Sequence, residues 1–244
     1  VLLKGASTAE FYPVPELRKS GDVDLFLTNP AQLSKAGERM ENLGFVKNPA
    51  HSVNHHEVYV TEKHVEVELH TLLAEPFDDK ETNRLMEELQ KEVAVQAGKK
   101  KLMGIEFPVL PDGIHAYYLL LHMLQHFLRA GFGLKLLCDW VVFWRHGVTE
   151  KELAQYKKLT AQSGLTGFSD MVTSVCAQYL GLEEEAAEPL IVNRVPGEDM
   201  WGFMEEILQS LEFGTMESEQ MVALRGNGWR DLFREFHHQM HLNF

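Results

Sequence analysis

The sequence is poor in cysteine and in positive charge. Its 244 residues include two cysteines, and 23 lysines and arginines stand against 36 aspartates and glutamates, giving a formal net charge of −13 at pH 7. Cys138 and Cys176 fall in apolar segments of helical pattern, which disfavours a disulfide framework and favours a reducing, cytoplasmic compartment. The excess of acid also disfavours a nucleic-acid or anionic-membrane surface, because such a surface would repel phosphates.

A long uninterrupted hydrophobic run is also lacking. The most apolar stretch, residues 114–144, is broken by His115, His122, His126, Arg129, Lys135 and Asp139. These groups are costly inside a bilayer, so the stretch predicts core helices and no membrane partner. The glycine-rich signatures of P-loop and dinucleotide-binding proteins are absent, which removes the main support for a kinase-like or dinucleotide-dependent enzyme.

Hydrophobic periodicity divides the chain into a mixed first part and a helical second part. Strands are predicted at residues 1–3, 22–27, 56–61 and 64–72. A short helix is predicted after Gly5, and a longer one has Asn29 as its N-cap, Pro30 at its first position and Gly44 after its end. From residue 79 onward helices are predicted at 79–97, 112–130, 134–145, 149–163, 167–179, 198–211 and 229–242, with a loop or short hairpin at 98–111.

The fold class expected from this pattern is α+β. A small mixed β-sheet packed with helices would form a core over residues 1–110. A helical domain would follow over residues 111–244.

The most informative chemistry is a pair of carboxylates on a predicted strand. Asp22 and Asp24 are two residues apart, so they project from the same face of that strand. Carboxylates held this close repel each other, and a site tolerates them when a divalent cation lies between them. On the second acidic strand, Glu66 or Glu68 would complete a three-carboxylate cluster if the two strands pair. The alternative is two strands whose acids simply face solvent.

A histidine stripe admits three interpretations. His115, His122, His126 and Arg129 recur at helical spacing on an otherwise apolar helix. The stripe could contact phosphate or base in a cleft, or it could form a buried hydrogen-bonded network, for example His126 with Asp139. A zinc site at His122 and His126, as in a metallohydrolase, lacks the His-Glu-x-x-His pattern.

A set of short motifs spread over residues 2–145 is typical of one family. The motifs are Leu3-Lys4-Gly5-Ala6-Ser7, Tyr12-Pro13, Arg18, Gly21-Asp22-Val23-Asp24-Leu25, Glu68-Leu69-His70, His122, His126, Gly131-Phe132-Gly133-Leu134-Lys135 and Asp139-Trp140. In this combination the chain resembles the uncharacterised bacterial nucleotidyltransferase family, which has the polymerase-beta fold.

The resemblance implies a metal-dependent transferase that moves a nucleoside monophosphate from a nucleoside triphosphate to a hydroxyl acceptor and releases pyrophosphate. Asp22, Asp24 and Glu68 would be the catalytic acids and would hold Mg²⁺ or Mn²⁺. The triphosphate would be bound by Lys4, Gly5, Ala6, Ser7 and Arg18. ATP is taken as the nucleotide because of its abundance. The acceptor is left open among an antibiotic or sugar hydroxyl, a protein side chain and RNA, which the acidity disfavours.

Two departures from the family pattern support an alternative function. The turn of the superfamily often reads Gly-Gly or Gly-Ser, whereas here Ala6 follows Gly5. The third acid is Glu68, where Asp is commoner. The alternative is a catalytically degenerate protein of the same fold that binds a nucleotide or a partner without transfer.

Overall fold

The computed structural model describes residues 1–52, 55–76, 80–102, 104–129 and 131–210. The chain forms two compact units, of which the first holds Val1–Pro76 and Asn83–Pro111 and the second contains the helices that follow Pro111. The fold is mixed α+β with a helical second half, as predicted. The last predicted helix, at residues 229–242, lies outside the described residues.

The elements up to Val109 are short strands and helices in mixed order. In chain order they are α1 (Ala6–Ala9), β1 (Asp22–Phe26), α2 (Leu33–Asn42), β2 (Val46–Lys47), β3 (His56–Val60), β4 (Glu66–His70), α3 (Lys80–Gln96), β5 (Gly98–Leu102) and β6 (Ile105–Val109). Two 3₁₀ turns lie at Pro15–Leu17 and Pro30–Gln32. The predicted helix at 79–97 and the hairpin option for 98–111 are confirmed.

The central sheet is mixed, with the strand order β1-β4-β3-β2. β1 and β4 pair in parallel, whereas β3 pairs antiparallel with both β4 and β2. One face of the sheet packs against α2 through a hydrophobic cluster of Met40, Tyr59, Val67, Leu69, Val23, Leu25, Leu27, Leu33, Ala36 and Phe45. Each fully buried aliphatic or aromatic side chain contributes about 1.5–3 kcal/mol, so this cluster fixes the sheet on the helix.

The start of α2 follows the predicted capping signal, with one difference. The Oδ1 atom of Asn29 accepts a hydrogen bond of 3.1 Å from the backbone N–H of Ala31, and Pro30 takes the first position. The first turn is 3₁₀ and α2 proper begins at Leu33. Gly44 lies after the helix end with φ of +87°, the left-handed conformation that favours glycine.

The predicted strand at residues 1–3 is wrong, because only Leu2 forms isolated bridges, to Leu25 and Val109. The backbone N–H of Leu2 donates to the carbonyl of Pro108 at 2.8 Å, and Pro108 has no N–H to extend that ladder. β2 was not predicted, since Val46 and Lys47 are both exposed and carry no apolar alternation.

The second unit is a bundle of helices around an aromatic core. Its helices are α4 (Asp112–Arg129), α5 (Leu134–His146), α6 (Glu150–Gln162), α7 (Thr166–Tyr179), α8 (Glu184–Ala187) and α9 (Gly197–Gln209), with a 3₁₀ turn at Glu188–Leu190. Thr149 and Glu152 form a capping box at the start of α6. The largest fully buried side chains here are Trp140, Tyr117, Tyr156, Phe143, Phe168 and Phe203. In the part of the chain that the structure describes, no helix has both the length and the apolar character needed to cross a bilayer.

Candidate active site

The central sheet has a polar face opposite the face that α2 covers. Because successive side chains of a strand point to opposite faces, Val23 and Leu25 of β1 and Val67 and Leu69 of β4 pack toward α2. The other face of these two strands carries Asp22, Asp24, Glu66, Glu68 and His70, as the alternation of the sequence predicts.

The register of β1 and β4 brings the predicted acids together. In this parallel pair Glu68 is the partner of Asp24, and Glu66 is the partner of Asp22. One carboxylate oxygen from each of Asp22, Asp24 and Glu68 lies within 4.8 Å of the other two. The strand pattern alone left Glu66 and Glu68 open, and the structure places Glu68, the residue that the resemblance implies, in this acidic trio.

The acidic trio is not a solvated sheet surface. The side chain of Asp24 is 0% exposed, that of Glu68 is 19% exposed and that of Asp22 is 32% exposed. An ionised carboxylate in such surroundings costs several kcal/mol unless a cation or hydrogen bonds compensate it. The alternative that these acids simply face solvent therefore does not hold at Asp24. Two positively charged side chains compensate the buried charge.

Lys4 is the first compensating group. Its Nζ lies 3.2 Å from Oδ2 of Asp22 and 3.1 Å from Oδ2 of Asp24. Burial disfavours the ammonium, but the two carboxylates, Asp24 foremost, outweigh burial and raise the pKa of Lys4 above its usual value. The backbone bonds Leu3 N–H to Asp24 O (3.0 Å) and Phe26 N–H to Val1 O (2.8 Å) hold the chain beside β1 and place Lys4 there.

His70 is the second compensating group. Its Nε2 lies 3.1 Å from Oδ1 of Asp24 and 3.0 Å from Oε2 of Glu68. Burial again opposes the charged form, but the hydrogen bonds and charges of Asp24 and Glu68 prevail and raise the pKa of His70 to about 9. In the same way His70 lowers the pKa of Glu68, against the effect of that residue's burial. At neutral pH Lys4 and His70 are therefore both positively charged and offset part of the negative charge of the acidic trio.

Gly5 shapes the turn that follows Lys4. Its φ is +71°, and a Cβ atom at this position would lie 3.1 Å from Oγ of Ser20 and 3.3 Å from the carbonyl oxygen of Asp22. Glycine therefore allows the backbone to pass close to the start of β1. The Gly5 carbonyl accepts the backbone N–H groups of Thr8 and Ala9, which closes α1 immediately beyond the turn.

The predicted phosphate-binding residues differ in accessibility. Ala6 is exposed, whereas Ser7 is 1% exposed and its Oγ is buried with no hydrogen-bond partner. Arg18 is half-buried at the end of the 3₁₀ turn Pro15–Leu17. The roles of Lys4, Gly5, Ala6, Ser7 and Arg18 toward a triphosphate stay predictions.

The histidine stripe lies on α4, in the second unit. His115 is 1% exposed and its ring lies 5.3 Å from that of Phe143. His122 is half-buried with its ring 4.4 Å from that of His126, which is exposed. Because His126 is exposed, it does not fit the interpretation of the stripe as a buried hydrogen-bonded network. Among the described residues, neither group of side chains that could hold a metal ion contains a histidine of α4.

Two histidines near the acidic trio, His70 and His56, were not predicted as site residues. The alternation along β4 already places His70 on the face of Glu68, and this signal was available in the sequence. His56 has no comparable signal, because its position depends on the antiparallel register of β3, in which His56 is the partner of His70. One nitrogen of His56, one of His70 and one oxygen of Glu68 lie within 4.8 Å of one another.

Comparison with known proteins gives one match. The model of a family described as uncharacterised nucleotidyltransferases matches residues 1–181. The match includes all of the first unit with its acidic trio, and in the second unit it continues to just past the end of α7. Neither a curated protein nor a solved structure matches the chain.

Proposed function

The chain belongs to this uncharacterised nucleotidyltransferase family, and on that premise we propose that it is a Mg²⁺-dependent enzyme transferring a nucleoside monophosphate from a nucleoside triphosphate to a hydroxyl acceptor. ATP is the nucleotide we propose. The observation that carries the proposal is the convergence of carboxylate oxygens from Asp22, Asp24 and Glu68 within 4.8 Å on one sheet face.

The acidic trio fits the ion that the family implies. Three carboxylates are hard oxygen donors, the ligand type that suits Mg²⁺ and Mn²⁺. The buried Oδ2 of Asp24 makes no well-aligned hydrogen bond, and its ion-pair contact is the flexible ammonium of Lys4 at 3.1 Å. A bound divalent ion would neutralise charge on the triphosphate and on the leaving pyrophosphate.

In this proposal the side chain of Lys4 pairs with the aspartates when no ion is bound and with phosphate oxygens when an ion is bound. Without an ion its ammonium forms ion pairs with both Asp22 and Asp24 and offsets part of their negative charge. When an ion takes over that charge, the side chain is released to pair with phosphate oxygens. The turn at Gly5 and the exposed residue Ala6 follow Lys4 in the chain and would meet the terminal phosphates.

Glu68 fits the role of a metal ligand better than that of a general base. Its Oε2 already forms an ion pair with Nε2 of His70 at 3.0 Å, and His70 lowers the pKa of Glu68, which weakens this carboxylate as a proton acceptor. His70 in turn holds Glu68 beside Asp24 through its second contact, to Oδ1 of Asp24. In the reaction, the acceptor oxygen forms a bond to the α-phosphorus, the bond to pyrophosphate breaks, and the hydroxyl proton leaves to water or a neighbouring carboxylate.

The contacts of Lys4 also favour a second candidate function. An ammonium that already pairs with Asp22 and Asp24 supplies part of the positive charge that a metal ion would bring to these acids. A chain that keeps Lys4 in this position could bind a nucleotide without transferring it. This second candidate is the catalytically degenerate protein of the same fold.

One experiment separates the two functions. The wild type is incubated with ATP labelled at the α-phosphate, with Mg²⁺ or Mn²⁺, and with a panel of sugar, aminoglycoside, protein and RNA acceptors, while pyrophosphate release and label transfer are measured. We expect transfer that falls at least about 100-fold in Asp24→Asn. The control is Glu106→Gln, which removes one negative charge on the exposed hairpin. Binding of ATP without pyrophosphate release supports the second candidate, and the absence of Mg²⁺-dependent ATP binding contradicts both.

A further inference from the structure

Two histidines lie beside the acidic trio on the same sheet face. His56 on β3 and His70 on β4 are register partners in the antiparallel pairing of these strands. Their ring centroids are 5.1 Å apart with the planes inclined by 37°. Glu68 is two residues before His70 on β4 and therefore shares their face.

These three side chains also converge, within the same limit of distance as the acidic trio. One nitrogen from each imidazole and one oxygen of Glu68 lie within 4.8 Å of one another. The Nε2 atom of His70 is 3.0 Å from Oε2 of Glu68. Ligands of one zinc ion lie about 2.0–2.2 Å from it, so donor atoms within 4.8 Å of one another need only small side-chain rotations to meet a common ion.

The donor set is chemically different from the acidic trio. Two imidazole nitrogens and one carboxylate oxygen suit Zn²⁺ and other divalent transition ions, whereas Mg²⁺ prefers oxygen ligands throughout. Three protein ligands also leave a coordination position open for water or a substrate atom.

An independent observation concerns the Nδ1 atom of His56. Its Nδ1 is buried and has no hydrogen-bond partner. A buried imidazole nitrogen without a partner is unfavourable, and a bond from that nitrogen to a metal ion would give it one.

We propose that His56, Glu68 and His70 form a binding site for one divalent transition-metal ion, with Zn²⁺ as the representative ion. This histidine site goes beyond the proposed transferase function, because it needs no nucleotide. Glu68 belongs to both ligand sets and has two carboxylate oxygens, so it can bridge an ion in the histidine site and an ion in the acidic trio. The presence of one ion then alters the affinity for the other, and this coupling is reciprocal.

The test measures zinc directly in the full chain after chelator treatment, without nucleotide. Isothermal titration with Zn²⁺ gives stoichiometry and affinity, and zinc X-ray absorption counts imidazole ligands. We expect one Zn²⁺ per chain with two imidazole ligands in the wild type. In His56→Gln we expect one imidazole ligand and an affinity at least about 10-fold weaker, and His70→Gln should lose affinity to a similar degree.

Two controls make the result specific. His55→Gln changes the neighbouring histidine, whose Nε2 faces Glu75 at 3.5 Å, and should keep the wild-type affinity within about twofold. Asp22→Asn removes an acid that belongs to the acidic trio alone, and it should keep two imidazole ligands on zinc. Circular dichroism verifies that each variant is folded.

Three outcomes would overturn the histidine site. One is a wild-type spectrum without imidazole ligands. Another is a His56→Gln protein, folded by circular dichroism, with unchanged affinity. The last is zinc that is lost in Asp22→Asn but kept in His56→Gln, which would place the ion in the acidic trio. Because none of these readouts uses ATP, failure of the histidine site is distinguishable from failure of the transferase proposal.

Discussion

The ammonium of Lys4 lies 3.1 Å from Oδ2 of Asp24, a carboxylate whose side chain is 0% exposed. Lys4 itself is 15% exposed and also reaches Asp22 at 3.2 Å. The pair thus lets the protein bury an acid at the centre of the candidate site before any ion is bound. A cation that is to bind both aspartates must take the place of this ammonium.

Replacing Lys4 should therefore have opposite effects on stability and on ion binding. In Lys4→Gln the buried carboxylate of Asp24 loses one of its two cationic partners, and we expect the metal-free protein to lose about 3–5 kcal/mol of unfolding free energy. The same change removes the competitor of the ion, and we expect Mg²⁺ to bind roughly 10-fold more tightly. Chemical denaturation with chelator and titration with Mg²⁺ measure the two effects. In the control Lys99→Gln, an exposed pair with Glu106 is lost, and stability should change by less than about 1 kcal/mol. Weaker Mg²⁺ binding in Lys4→Gln would contradict this competition.

The register of β1 and β4 predicts different roles for two glutamates on one strand. Glu68 is in the acidic trio, whereas Glu66, one row away, is not. We expect Glu68→Gln to weaken Mg²⁺ binding at least about 10-fold, while Glu66→Gln changes it less than about threefold. Calorimetric titration of both variants measures the difference. Equal losses of Mg²⁺ affinity in the two variants would mean that binding depends only on the overall negative charge of this sheet face.

The turn at Gly5 should tolerate alanine poorly. Gly5→Ala introduces both a positive φ for an L residue and a Cβ atom 3.1 Å from Oγ of Ser20 and 3.3 Å from the Asp22 carbonyl. We expect a loss of about 2–4 kcal/mol, measured by denaturant unfolding. Gly44→Ala is the matched control, because Gly44 also has positive φ but no heavy atom lies within 4 Å of its added Cβ. That control should cost about 1–2 kcal/mol. Similar losses in both variants would show that the close approach at Gly5 carries no penalty of its own.

The metal-free protein should lose stability as the pH rises from neutral to alkaline. Folding raises the pKa of His70 from 6.5 to about 9, so its stabilising contribution is fully present below pH 6.5 and is lost as the pH rises through about 9. The contribution is at most about 3 kcal/mol. Unfolding free energies measured with chelator across this range should fall more steeply for the wild type than for His70→Gln. Parallel curves would show that the proton on His70 is not linked to folding.

Much of the fold follows from local sequence patterns. The alternation of Asp22–Phe26 and Glu66–His70 predicts β1 and β4 with their acids on one face, and Asn29 with Gly44 marks the helix that covers the other face. These signals depend on neighbouring residues, so they are visible without knowledge of the tertiary structure. The same reasoning fails for β2, whose two exposed residues are determined by pairing with β3.

The composition of the candidate site could be predicted only in part. Asp22 and Asp24 are fixed by spacing within a single strand, whereas the choice between Glu66 and Glu68 depends on a register between distant strands. The position of Lys4 depends on the backbone bonds that tie the first residues to β1, and that of His56 depends on the pairing of β3 with β4. Such long-range pairings leave no local periodicity. The family resemblance named Lys4 and Glu68 in advance, but their contacts, and the presence of His56 in the site, are visible only in the folded chain.

The parallel pairing of β1 with β4 has a consequence for the order in which the protein matures. Asp24 and His70, which share a hydrogen bond, are 46 positions apart, and α2, β2 and β3 all lie between them. Parallel contacts of this separation close late, because loop-closure entropy must be overcome first. During synthesis the emerging polypeptide therefore carries its acids as scattered, hydrated side chains of low cation affinity. A cation that binds the acidic trio would therefore be taken up after folding, because the three carboxylates converge only in the folded sheet.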